Sequence, residues 1–100
     1  MLNNNEHDLC RFKIVERLGY VDYRLQYDKN VFELIKQNCE PIETDCVENK
    51  PYMSIYVFKI LQKTETIIQH ITDYGDRQIK IDYIFSPDTK TFSLKGLNNS

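Results

Sequence analysis

Cysteine and histidine are the residues of this 100-residue chain best suited to metal or nucleophilic chemistry. His7, Cys10, Cys39 and Cys46 make up one conceivable zinc set, because zinc accepts thiolate and imidazole ligands. Structural zinc sites draw on closely spaced ligand pairs; His7 and Cys10 sit that close, whereas Cys39 and Cys46 lie further apart. Read without a metal, Cys10 is a small core residue and the other two are loop thiols in a reducing compartment. A disulfide between Cys39 and Cys46 would leave Cys10 odd. No metal and no cofactor is expected.

His70 and Asp73 are three apart and would be neighbours on a helix, but on its solvent side, where they make a surface pair rather than a catalytic dyad. Gly19, Gly75 and Gly96 are isolated, so there is no phosphate-cradling loop, and no catalytic motif appears. The chain is expected not to be an enzyme. Aromatic residues raise a different chemistry. Tyr20, Tyr23, Tyr27 and Tyr83, with Arg24, Arg77, Lys80, Lys90 and Lys95 near them in sequence, suit a nucleic-acid-binding accessory protein that stacks unpaired bases on a tyrosine-bearing sheet. Against this, Tyr23 and Tyr27 alternate with polar residues and share the apolar side of their strand, which turns them toward a core.

Tyr52, Ile55 and Phe58 fall outside the apolar stripe of their segment, and the acids Glu40, Glu43, Asp45 and Glu48 precede them. An aromatic and branched patch with an acidic rim fits a basic protein partner or a second copy of the chain. The competing reading folds residues 37–50 over these side chains and buries them. The expected function is a non-enzymatic protein-binding module: a small inhibitor, immunity factor, adaptor or accessory subunit. The nucleic-acid-binding accessory protein is the alternative.

These residues have to be carried by a small number of elements. Residues 51–73 place Met53, Val57, Ile60, Leu61, Thr64, Ile67, Ile68 and Ile71 on one face at helical spacing, and Lys59, Gln62, Lys63, Glu65, Gln69, His70 and Asp73 on the other. Asn49 and Pro51 offer a start and Gly75 a stop, so the spacing predicts one long amphipathic helix. Cys10, Phe12 and Ile14 alternate with Arg11 and Lys13, and Val21, Tyr23, Leu25 and Tyr27 with Asp22, Arg24 and Gln26. Both read as strands, although a short helix over residues 9–18 is the alternative for the first. Val31 to Lys36 returns as a further strand or a helical turn, and residues 37–50 form a long loop. Gln78 to Phe85 and Thr91 to Leu97 make a hairpin about Pro87 and Asp88. The expected fold class is α+β: an antiparallel sheet of N-terminal meander and C-terminal hairpin, packed by the helix at about 51–73. Residues 1–100 form one small domain, with frayed tails at 1–6 and 97–100.

Net charge is −2, with 41% hydrophobic and 28% charged residues, so no strong field selects nucleic acid or acidic lipid. The longest apolar run, Ile55 to Phe58, is far below the span of a membrane helix, and no membrane association is expected. A cytoplasmic location follows by default. The absence of alanine and the abundance of Ile, Lys, Asn and Tyr fit AT-rich coding, as in a low-GC bacterium, a phage, a large DNA virus or a parasite.

Overall fold

The computed structural model describes residues 8–17, 19, 21–43 and 50–98. Seven strands run in the order β1 (Leu9–Arg17), β2 (Asp22–Gln26), β3 (Phe32–Pro41), β4 (Pro51–Ile60), β5 (Thr66–Asp73), β6 (Gln78–Ser86) and β7 (Thr91–Asn98). They form two antiparallel sheets, β1-β4-β3 and β2-β5-β6-β7. The α+β expectation is therefore corrected to an all-β fold: 71% of the described residues are in strands, and no helix among them packs the sheets.

The predicted helix over 51–73 is two strands in different sheets, β4 and β5, joined through Leu61–Glu65. Its apparent stripe mixes residues that point in different directions, since Leu61 and Ile67 are 46% and 40% exposed while Val57 and Ile68 are buried. Strand periodicity is hidden in β4 because it is the centre of its sheet and covered on both faces. Ser54, Ile55, Tyr56, Val57 and Phe58 are buried in succession, the pattern of a strand sandwiched from both sides. Tyr56, Phe58 and Ile60 face the other sheet. Ile55 and Val57 face outward between Lys13 and Asn38 and between Arg11 and Lys36, whose stems can lie over them while their polar heads reach water.

Between the sheets lies an aromatic core that includes all five phenylalanines. Phe32 meets Phe85 edge-on at 4.9 Å and Phe58 at 5.1 Å, Phe12 meets Tyr83 at 4.9 Å, and Phe85 meets Phe92 at 5.1 Å. Offset and edge-to-face rings each add a little beyond the area they bury, about 0.5–1.5 kcal/mol a pair. β1 is a strand, with Cys10 and Phe12 inward and Arg11 and Lys13 outward. The hairpin of β6 and β7 forms as expected, though Leu97 and Asn98, assigned to a frayed tail, pair with Ile81 and Lys80. The loop assigned to 37–50 begins late: β3 runs on to Pro41 opposite Tyr52.

Connections between strands are fixed by local polar chemistry. After β2, the Asp28 side chain accepts from the Asn30 amide at 2.8 Å while its carbonyl accepts from the amides of Val31 and Phe32, an Asx turn that delivers Phe32 to the core. In the β5–β6 turn, Asp73 accepts from the Gly75 amide at 2.8 Å and from Gln78 at 3.2 Å, and Gly75 takes φ 93. A Cβ at Gly75 would meet nothing within 4 Å, so only backbone strain opposes substitution. Gly75→Ala is expected to cost about 1 kcal/mol or slightly more in chemical denaturation; an unchanged midpoint would show that the turn relaxes freely.

Candidate functional site

Alternation along β1 places Cys10, Phe12, Ile14 and Glu16 on the inner face, so the last inward position is a carboxylate, 2% exposed. On β5 the same parity carries Ile68 and then His70, 3% exposed. The two meet across the sandwich: His70 Nε2 lies 2.7 Å from Glu16 Oε2, and the Tyr56 hydroxyl donates to the same oxygen at 3.0 Å. Tyr52 and Ser54 lie near enough to interact with the same carboxyl. Burial by itself would raise the Glu16 carboxyl, but the hydrogen bonds from His70 and Tyr56, the charge of a protonated His70 and the Ser54 hydroxyl outweigh it. The net direction is down from the ordinary 4.5. Burial, followed by the Glu16 charge, pushes Tyr52 up to about 12 and Tyr56 further still. Tyr23 stacks on His70 at 5.4 Å and accepts from the Arg17 amide at 3.0 Å, closing the imidazole off from solvent.

On the near side of this cluster the sandwich opens into a cleft of about 470 Å³. Tyr23, Leu25 and Tyr27 form one wall, Leu34 and Gln37 of β3 the other, and Tyr52, Tyr56 and Glu16 line its depth, with Asp22 and Lys29 also lining it. The cleft lies between β2 and β3, which are edge strands of their respective sheets. On the opposite side β1 approaches β7, so the sandwich is closed there and open here.

The residues singled out from sequence are distributed as follows. Phe58 is 0% exposed and in the aromatic core, and Ile55 is buried on the outer face of β4; neither stands on a surface patch, because the helix that would have displayed them does not exist. Tyr52 is half-buried in the cleft. Glu40 and Glu43 are exposed at the far end of β3 and just beyond it, whereas Asp45 and Glu48 lie outside the described residues, as do His7, Cys46 and Tyr20. His70 and Asp73 point to opposite faces of β5, so His70 reaches Glu16 and Asp73 holds the turn. Tyr23, Tyr27 and Tyr83 face between the sheets rather than outward, while Arg77 lies over the Tyr74 ring at 4.9 Å. Cys10 is opposite Phe58 and Cys39 opposite Ser54 on the far side of β4. That offset of four positions is roughly 13 Å along the strand, too far for one ion to take both thiols. Burial pushes the Cys10 thiol up to about 11.

The Glu16–His70 pair was not anticipated from sequence. Its one sequence signal is parity: an acid continuing the Cys10, Phe12, Ile14 series and a histidine continuing from Ile68 are polar residues on apolar positions. Both members are closed to solvent, so the pair is placed to hold and orient the phenols above it rather than to meet a substrate. No family model matches the chain, and no curated protein or solved structure matches it. No helix among the described residues is long and apolar enough to cross a membrane.

Proposed function

We propose that this protein is a non-enzymatic binding module that captures an extended segment of another protein along the free edge of β3. The observation that carries this reading is the condition of that edge. Among the described residues β3 pairs with β4 alone, and every residue of the strand after Phe32 is exposed. A strand in that state offers a row of backbone donors and acceptors to an incoming chain, and added backbone pairing is a common way to bind extended peptides.

Three further features support it. Leu34 and Ile35 are 38% and 50% exposed on this strand, Ile35 standing at the register shift between Leu34 and Lys36. Glu33, Glu40 and Glu43 outnumber Lys36 along the edge, which favours a basic segment. The cleft opens beside the edge, so alternate side chains of an added strand would turn into it. The nucleic-acid alternative has less support: Arg11, Lys13, Lys36 and Lys59 share the outer face of the first sheet, but the tyrosines that would stack on bases face inward.

Ile35→Lys places a charge on the edge at an exposed site, where substitution costs within about 0.5 kcal/mol of stability. Peptides selected for binding to the wild-type protein are expected to protect residues 33–40 from hydrogen exchange and to lose binding to the variant, with Val15→Lys on β1 as an unaffected control. Protection elsewhere, or binding untouched by Ile35→Lys, would overturn the reading. A concentration-dependent dimer abolished by the same substitution would overturn the hetero-partner and assign the edge to a second copy.

A further inference from the structure

Hydrogen-bond accounting in the cleft limits what can enter it. An ionised carboxylate only accepts, so the Tyr56 hydroxyl spends its proton on Glu16 and is left with lone pairs, and the Tyr52 hydroxyl is drawn toward the same carboxylate. Gln37 brings an acceptor as well: its amide nitrogen donates one hydrogen to Ser54 Oγ at 3.2 Å, and its carbonyl oxygen can accept, beside the second N–H of the same amide. These three residues line the cleft together. The groups lining it are thus rich in acceptors, with the Glu16–His70 pair directly behind them and the Asp22 carboxylate beside them. The rings of Tyr23 and Tyr27 form the wall, and aromatic faces attract cations. Among the described residues, Lys29 is the one cation lining it.

We infer that the cleft is a subsite for a cationic side chain, an arginine or lysine, whose donors are received by the Tyr52 and Tyr56 hydroxyl oxygens and the Gln37 carbonyl. Ammonium and guanidinium groups carry donors and no acceptor, the complement of this lining. A volume of about 470 Å³ is ample for either with its alkyl stem. Within the proposed function the subsite sets specificity, and that part rests on the reading of β3 as the docking edge. An added strand would send one side chain in two toward the phenols, and a basic residue at that position would be selected.

The full-length protein, followed by amide and aromatic NMR, is titrated with N-acetylarginine amide and N-acetylcitrulline amide, which differ in charge and hardly in shape. The arginine probe is expected to shift Tyr52, Tyr56 and Gln37 signals and to bind at least about tenfold more tightly than the citrulline probe. Tyr52→Phe, which keeps the ring and removes one acceptor, should cut that preference severalfold with the melting temperature held. Equal binding of the two probes, no shift at the cleft, or an unchanged preference in Tyr52→Phe would overturn the inference. The docking edge is judged separately, by a heptapeptide of alternating threonine and serine with a central arginine or citrulline. If it protects β3 without regard to charge, the cation subsite is wrong and the edge stands. If it leaves β3 untouched while the amide probe still binds, the edge is wrong and the subsite stands.

Discussion

Replacing Phe58 with alanine is expected to lower the unfolding free energy by roughly 3–5 kcal/mol, the range for a phenylalanine lost from a packed interior. Phe58 is fully buried at the centre of its sheet, against Tyr27 at 4.9 Å and Phe32 at 5.1 Å. The collapse that softens such losses is blocked here, because the surrounding rings are themselves wedged between two sheets. A domain of this size should lose more than about 10 °C in melting temperature. Calorimetry checks the prediction, and a loss below about 1 kcal/mol would mean that Phe58 is not in the core. Because the side chain reaches no surface, any effect on binding should track the unfolded fraction and vanish when the variant is stabilised by cooling.

Glu16→Ala is expected to cost a similar amount, about 3–5 kcal/mol, for a different reason. Breaking a buried charged pair strands the surviving partner, and here both His70 and Tyr56 would lose an acceptor in a dry site. The pair itself need not be worth that much. A Glu16→Met/His70→Leu double variant, which removes both members, should recover most of the loss, since apolar replacement of whole buried pairs is often neutral. If the double variant is as unstable as Glu16→Ala, the penalty comes from packing and not from stranded polar groups.

Acid adds a second test. The folded Glu16 carboxyl titrates below its ordinary 4.5, so its contribution to stability is complete above that value and is lost as pH falls through the folded-state pKa. Melting temperature should therefore decline below about pH 4.5, and Glu16→Gln should decline less over the same window. Parallel curves for the two proteins would sink this assignment.

How far these features can be read from sequence depends on whether one face of a strand meets water. β1 is legible because Arg11 and Lys13 are exposed between Cys10, Phe12 and Ile14, and β2 because Asp22, Arg24 and Gln26 are. The β6–β7 hairpin is legible from its turn residues and from Ile81, Tyr83 and Phe85. β4 is not, since burial on both faces erases alternation, and an apolar run continuing through Leu61 into the Ile67 pair imitates a helical stripe. Two strands in different sheets then pass for one element. The candidate site suffers more from this error. His70 lies on the misassigned segment, its partner is 54 positions away, and no local pattern links them. Among the described residues of the expected binding patch, Tyr52 is the one that lines the cleft, and it does so as part of β4 rather than as an exposed helical side chain.

Strand order also determines when the molecule can come into being. β1 and β2 are synthesised first, yet their hydrogen-bonding partners are β4 and β5. Neither N-terminal strand has a neighbour until residues 51–73 have left the ribosome, and during that interval the apolar parity of both is uncovered. Pairings this remote in sequence make for folding in milliseconds to seconds rather than microseconds, and they expose nascent strands to wrong partners. The chain is thus committed to closing late and nearly all at once, with the arrival of β4 as the event that gives the first strand a place.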